Sequence, residues 1–150
     1  MHAMGDVTPA LLRTYSLFGG LRDEQLERLV QRIQLVDLEA GTELIRQGEK
    51  GDRMYCLVSG AVEVLRGQVV VTRLGPGETI GEMELIDMQP RSATVRAVLP
   101  CRLLSLALRD ILTLQREDLP AFTLVVMNLA RDLSRRLRRM DDAVGSADRH

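Results

Sequence analysis

The sequence predicts a mainly β fold with flanking helices, and three observations carry that prediction. Eight of the twelve glycines fall between Gly41 and Gly81, and regular glycines between short apolar runs mark turns that link strands. No glycine occurs from Glu82 to Ala143, and from Arg109 onward apolar residues recur three and four apart, the period of a helix. The chain has 150 residues, 45% hydrophobic and 27% charged. That suits one globular domain, which can bury about two-thirds of its unfolded surface without a disulfide or metal.

At the N-terminal end, Thr8-Pro9 opens a segment of helical character, Ala10–Ser16. Arg22-Asp23-Glu24-Gln25 then leads into Leu26, Leu29, Val30 and Ile33, a second short amphipathic helix. Strands are expected at Gln34–Leu38, Thr42–Ile45, Met54–Val58, Ala61–Arg66 and Val69–Leu74, each bounded by Gly41, Gly48, Gly51, Gly60, Gly67 or Gly75. Two more follow at Ser92–Val98 and Arg102–Ala107. Short strands at this spacing read as a sandwich or barrel, with a double-sheet roll among the candidates.

From Arg109 the pattern is helical. Pro120 fits the first turn of a long helix that Glu117 or Asp118 would cap. Its apolar residues Leu119, Phe122, Val126, Leu129, Leu133, Leu137 and Met140 form a seam near the 3.5-residue period of a coiled coil. For the first two turns, an amphipathic helix laid on its own domain fits equally well. Farther along, Arg131, Arg135, Arg136, Arg138 and Arg139 surround a thin apolar line, and that half is expected to pair with a second copy. The arginine run reads as a solvated helix face in preference to a nucleic-acid contact. Asp141–His150 reads as a polar tail, so the domain is drawn at 1–140.

Composition excludes several classes of function. Twenty basic residues against twenty-one acidic give a net charge of −1, so no global pull on nucleic acid exists. Cys56 and Cys101 sit inside apolar runs and read as buried thiols of a reducing compartment. The two histidines, His2 and His150, lie at the extreme ends, which argues against a zinc site or a histidine-dependent triad. No apolar stretch approaches the ~18 residues of a membrane helix, nor is there a secretory signal. The expectation is a soluble, cytoplasmic, non-enzymatic protein without metal or cofactor, since no phosphate-loop lysine motif or nucleophile elbow occurs either.

The informative segment runs from Ile80 to Thr94: Ile80-Gly81-Glu82-Met83-Glu84-Leu85-Ile86-Asp87-Met88-Gln89-Pro90-Arg91-Ser92-Ala93-Thr94. Gly81 permits close backbone approach by a ligand, and Arg91 offers a planar fork for a phosphate. Glu82 is an acceptor for a sugar hydroxyl, and one helical turn over Met83–Asp87 would present free amides to an anion. Together these suit a sugar phosphate or nucleotide.

The segment resembles the phosphate-binding cassette of the cyclic nucleotide-binding domain family, found in catabolite-activator-type regulators, cyclic-nucleotide-dependent kinases and gated channels. Gly81-Glu82-Met83, Leu85 and Pro90-Arg91-Ser92-Ala93-Thr94-Val95 match the cassette. Ala40-Gly41-Thr42, Gln47-Gly48-Glu49, Asp52, Met54-Tyr55 and Val58-Ser59-Gly60-Ala61-Val62 match the family's upstream strands and turns. The resemblance spans roughly residues 14–140. It implies a double-stranded β-helix, a jelly-roll-like β-roll, with N-terminal helices and a long C-terminal dimerisation helix. It further implies that Gly81 lies against the ribose, Glu82 binds its 2′-hydroxyl and Arg91 pairs with the cyclic phosphate. Ser92, Ala93 and the cassette residues Met83, Glu84 and Leu85 would complete that subsite, with the Glu84 and Leu85 amides toward the phosphate. Val64, Val71 and Thr72 would line the base and sugar, and Arg136 and Met140 would form a lid. Ser92 in place of threonine favours cAMP over cGMP.

One position departs from the family pattern: Glu84 stands where a small residue is usual. Three outcomes are open. Its carboxylate can face the phosphate and repel it, pair with Arg91 and imitate it, or point to solvent. The implied function is a cyclic nucleotide sensor that repositions its long helix, as a homodimer through Leu119–Met140, to regulate a separate effector protein. The rival is a degenerate, dimerising scaffold that binds no nucleotide. Only ten residues follow Met140, too few for a helix-turn-helix, and no DNA-binding domain is expected.

Overall fold

Local chemistry sets the N-terminal elements. In the computed structural model, which describes residues 6–148, Thr8 caps helix α1 (Pro9–Arg13) by accepting from the Leu11 amide at 3.1 Å. The expected helix stops there, and a separate 3-10 turn follows at Ser16–Phe18. Helix α2 (Asp23–Val30) starts where the Gln25 side chain reaches back to the Arg22 amide at 2.8 Å.

Eight strands follow among the described residues. They are β1 (Gln34–Leu38), β2 (Glu43–Ile45), β3 (Arg53–Ser59), β4 (Val62–Arg66), β5 (Val69–Leu74), β6 (Thr79–Ile80), β7 (Thr94–Ala97) and β8 (Cys101–Ala107). They form two antiparallel four-stranded sheets, in the orders β1-β8-β3-β6 and β2-β7-β4-β5. β8 explains how the two sheets share a core. Successive strand residues point to opposite faces: Leu104 faces the helices while Leu103 lies between the sheets, both fully buried. Met54, Cys56 and Leu106 join Leu104 against Leu12, Phe18, Leu26, Ile111 and Leu129. Leu57 joins Leu103 against Val62, Leu74 and Val95. Burial pushes the Cys56 thiol up to about 12, with the Asp132 carboxylate adding to the shift, so this thiol is unreactive at neutral pH.

Helix α4 (Leu108–Glu117) passes through Asp118 into helix α5 (Leu119–Asp148). The Asp118 carboxylate accepts from the Ala121 amide at 3.1 Å, from Gln25, and from Arg28 at 2.8 Å. Desolvation opposes ionisation at Asp118, but these donors together hold its carboxyl below the usual range. Ala121, Val125 and Leu129, one helical stripe, are buried in the domain. Asn128 ties the helix to the 3-10 turn by donating to the Leu17 and Gly19 carbonyl oxygens, both at 3.0 Å. Beyond Arg131 the helix leaves its own core, and Leu137, Met140 and Val144 are exposed.

Residues 141–148, expected as a polar tail, continue α5 instead. They contain no proline, and their first glycine is Gly145. Adding residues to an existing helix is far easier than nucleating one. His2 and His150 lie outside the described residues. No described helix is long and apolar enough to cross a membrane.

Candidate functional site

The cassette turns at Gly81 after β6, runs through the short helix α3 (Met83–Asp87), and returns at Arg91 into β7. The loop after β2 fixes the backbone of Arg91: its amide donates to the Glu49 carbonyl and its own carbonyl accepts from the Gly48 amide, both at 2.8 Å. The side chain is then held on three sides. Nη1 donates to Glu84 Oε2 at 2.7 Å and to the Gly81 carbonyl at 3.0 Å, and Nη2 donates to the Arg53 carbonyl at 2.7 Å. Arg91 and Glu84 are 8% and 9% exposed, so this is a buried ion pair.

Two glycines make room for that guanidinium. A β-carbon on Gly81 would lie 2.7 Å from Arg91 Nη1, and Gly81 has φ +80°, where a side chain is also strained. A β-carbon on Gly51 would lie 2.1 Å from Arg91 Cζ. Gly51, read from sequence only as a strand boundary, is therefore shaped by contact with a residue 40 positions away.

A second buried pair closes the other side. Glu82 is 2% exposed and accepts from Arg136 Nη1 at 3.1 Å, while Arg136 Nη2 donates to the Thr79 carbonyl at 2.9 Å. Burial raises the Glu82 carboxyl above its ordinary range, against the pull of Arg136. The Thr79 hydroxyl and Arg136 Nε are buried and have no hydrogen-bond partner among the described residues.

Between the pairs lies a cavity of about 110 Å³, lined by Gly81, Glu82, Met83, Glu84, Arg91, Ser92, Ala93, Val64 and Arg136 among the residues expected from sequence. Ile45, Leu74, Thr79, Ile80 and Val95 also line it. They sit at alternate or terminal strand positions that a sequence reading assigns simply to core. Four expected residues lie elsewhere. Val71 is 44% exposed: Leu74 of the same strand is buried, so strand alternation turns Val71 to the opposite face, and Val71 is also the extra residue of a bulge between the Val64–Thr72 and Leu65–Val70 pairs. Thr72 pairs across the strands with Val64 but does not line the cavity. Met140 is 43% exposed, one turn past Arg136. Leu85 turns the other way, packing on the helical core, and its amide donates to the Glu82 carbonyl at 3.1 Å rather than facing the cavity.

Of the three outcomes open at position 84, the geometry is the pairing with Arg91. The walls carry two arginines and two glutamates, each cation matched by an anion. The cavity is smaller than the ~300–1,000 Å³ usual for ligand sites.

These features define a two-sheet β-roll with a charge-paired cassette pocket, and comparison with known proteins places its family. The model of the family "Cyclic nucleotide-binding domain" matches residues 35–118, and the chain belongs to that family. It is 38% identical over 130 residues to the Cyclic AMP receptor protein of Thermus thermophilus, covering 83% of this chain and 58% of the relative. It is 42% identical over 90 residues to the cAMP-dependent protein kinase regulatory subunit of Yarrowia lipolytica, covering 60% and 24%. The chain thus spans about a quarter to three-fifths of these relatives' length. Among solved structures, the Thermus thermophilus Catabolite Activator Protein superposes with a TM-score of 0.69 at 37% identity, covering 89% of this chain and 63% of that one. A protein of Geobacter metallireducens shares the fold, with a TM-score of 0.80 at 24% identity over 87% and 98% of the two chains.

Proposed function

We propose that the domain is a cyclic-nucleotide sensor of a regulatory system, acting by conformational change rather than catalysis. The observation that carries this reading is the convergence of Gly81, Glu82, Arg91 and Ser92 on one cavity, with Arg136 of α5 closing it. Ribose would take Glu82 from Arg136, and the cyclic phosphate would take Arg91 from Glu84. Opening the first pair releases one of the contacts that hold the outer half of α5, beside Arg139–Glu78, so ligand and helix position are coupled. The exposed stripe Leu137, Met140 and Val144 supports a homodimer through this helix, in the cytoplasm, whose geometry a separate effector protein would read. Ser92 favours cAMP over cGMP, the ligand named for the relatives above.

The test is calorimetric titration with cAMP and cGMP, using protein unfolded and refolded to free it of nucleotide. Saturable binding at one per chain is expected, with cAMP the tighter. An Arg91→Ala variant that binds within about threefold of wild type, less than one charge-assisted hydrogen bond, would sink the cassette assignment.

A second reading, a dimerising scaffold that binds no nucleotide, is favoured by one observation, the 2.7 Å Glu84–Arg91 pair. If Glu84 stayed about 4 Å from a phosphate, at an effective dielectric near 20, repulsion would be about 4 kcal/mol, on the order of a thousandfold in affinity. Glu84→Ala separates the readings. A sensor gains at least about tenfold in affinity from a measurable starting value, whereas a scaffold goes from silent to binding.

A further inference from the structure

Behind the cassette helix lies a second cavity of about 350 Å³, roughly three times the volume of the first. Leu85, Leu108, Leu112 and Met88 supply apolar wall. Met88 and Leu112 are 85% and 48% exposed, an apolar surface left open to solvent beside a pocket. Lys50 and Arg109 line the same cavity, and among the described residues neither side chain has a hydrogen-bond or ion-pair partner. The lining carries Lys50, Arg53 and Arg109 against Asp52 and Glu84, a net of one positive charge, and the Arg53 guanidinium also donates to the Ser105 hydroxyl at 2.6 Å. The wall is therefore oily with one unmatched positive charge at its edge.

We propose that this cavity is a second ligand site, for an amphipathic carboxylate: an acyl chain against the leucines, its carboxylate on Lys50 and Arg109. Charge complementarity selects the headgroup and the apolar wall selects the tail. A neutral apolar ligand would leave the cations unused, and a small inorganic anion would leave the leucines in water.

The site also has a physical connection to the first. Glu84 is the residue that lines both cavities. When phosphate takes Arg91, the displaced Glu84 carboxylate turns toward Lys50 and Arg109, the free cations on its other side. It then competes with the acyl carboxylate for the same charges. The two ligands oppose each other, and each weakens the other by the same factor. This coupling rests on the nucleotide-sensor reading; the second site itself does not.

The experiment is calorimetric titration of the full chain with decanoate below its micelle concentration, with decanol as the uncharged control. Saturable binding at one per chain is expected, at least about tenfold weaker for decanol and about fivefold weaker for K50A/R109A, whose substituted side chains are exposed. No saturable heat, or equal binding by decanol or by the double variant, overturns the site. A second arm repeats the cAMP titration in saturating decanoate. At least about a threefold loss of cAMP affinity in wild type, and none in E84A, is expected; independent binding overturns the coupling. If wild type binds decanoate but no cAMP, the sensor reading has failed and the second site stands.

Discussion

Charge is handled in opposite ways in the cassette pocket and on the outer half of α5. In the pocket, Glu84–Arg91 and Glu82–Arg136 are mostly removed from water, and two more Arg91 bonds go to backbone carbonyls. On α5, Arg139 is 64% exposed where it meets Glu78, and Arg135 is 61% exposed where it meets Asp132. Removing one member of a buried pair leaves an uncompensated charge in low dielectric, whereas water replaces a lost surface partner. An ion pair seen in coordinates therefore says little until its exposure is known, and the buried ones mark where a competing charged ligand has leverage.

The largest effect should come from breaking the buried pair on one side. Arg91→Ala strands Glu84 and orphans the Gly81 and Arg53 carbonyls, and should cost about 3–5 kcal/mol. Urea denaturation measures it. The joint replacement E84L/R91M removes both charges at once and should cost far less than Arg91→Ala. If it costs as much, the pair is not what the arginine supplies.

Next is a substitution that touches neither charge. Gly51→Ala places a methyl 2.1 Å from Arg91 Cζ, so the guanidinium or the loop must move. Overpacking of this kind costs about 1–3 kcal/mol. The same change at Gly75, where a β-carbon meets nothing within 4 Å, is the control. Gly75→Ala should be neutral or slightly stabilising, because it lowers the entropy of the unfolded chain; an equal loss at both sites would show that the Arg91 contact does not set the result.

The Gly51 contact also shows where sequence reading stops. Glycine spacing located seven strands, because turns are local chemistry. The ordered cassette residues located the pocket, because their spacing along the chain sets the turn, the short helix and the return. Thr79–Ile80 is too short a strand to show alternation, and only pairing with Tyr55 and Cys56 makes it one. Val71 and Thr72 are neighbours on one strand, so alternation cannot turn both toward the cavity, and Val71 faces out, opposite buried Leu74. Leu85 lies within the motif yet lines the other cavity and packs on the helical core, while Met83 and Glu84 of the same short helix line the first. The reach of Arg136 back to Glu82 depends on how α5 is docked, and Asn128 decides that through contacts with residues more than 100 positions earlier.

The second pair responds to pH. The Glu82 carboxyl is raised, so between the ordinary glutamate range and its raised value the folded chain holds a proton that the unfolded chain has lost. Stability should therefore fall as pH rises through that window, and level off below it, where both states are protonated. The Glu82→Gln variant removes the titration and keeps an acceptor for Arg136. Its stability should gain on wild type across the window in denaturation runs at stepped pH. A wild-type curve parallel to that of the variant would mean that Arg136 fully compensates the burial of Glu82.

The smallest effect belongs to the exposed helix. Arg139 donates to Glu78 at 2.7 Å, as short a contact as Arg91 makes to Glu84. Distance alone would rank the two equal. Exposure ranks them far apart: Arg139→Ala should cost no more than about 1 kcal/mol, and less as salt is raised. The comparison is sharpest with Arg91→Ala and Arg139→Ala denatured side by side at low and high salt. The Arg91 loss should persist while the Arg139 loss disappears. A salt-independent loss of several kcal/mol at Arg139 would mean that the outer half of α5 is buried in solution, and thus that a second copy covers it.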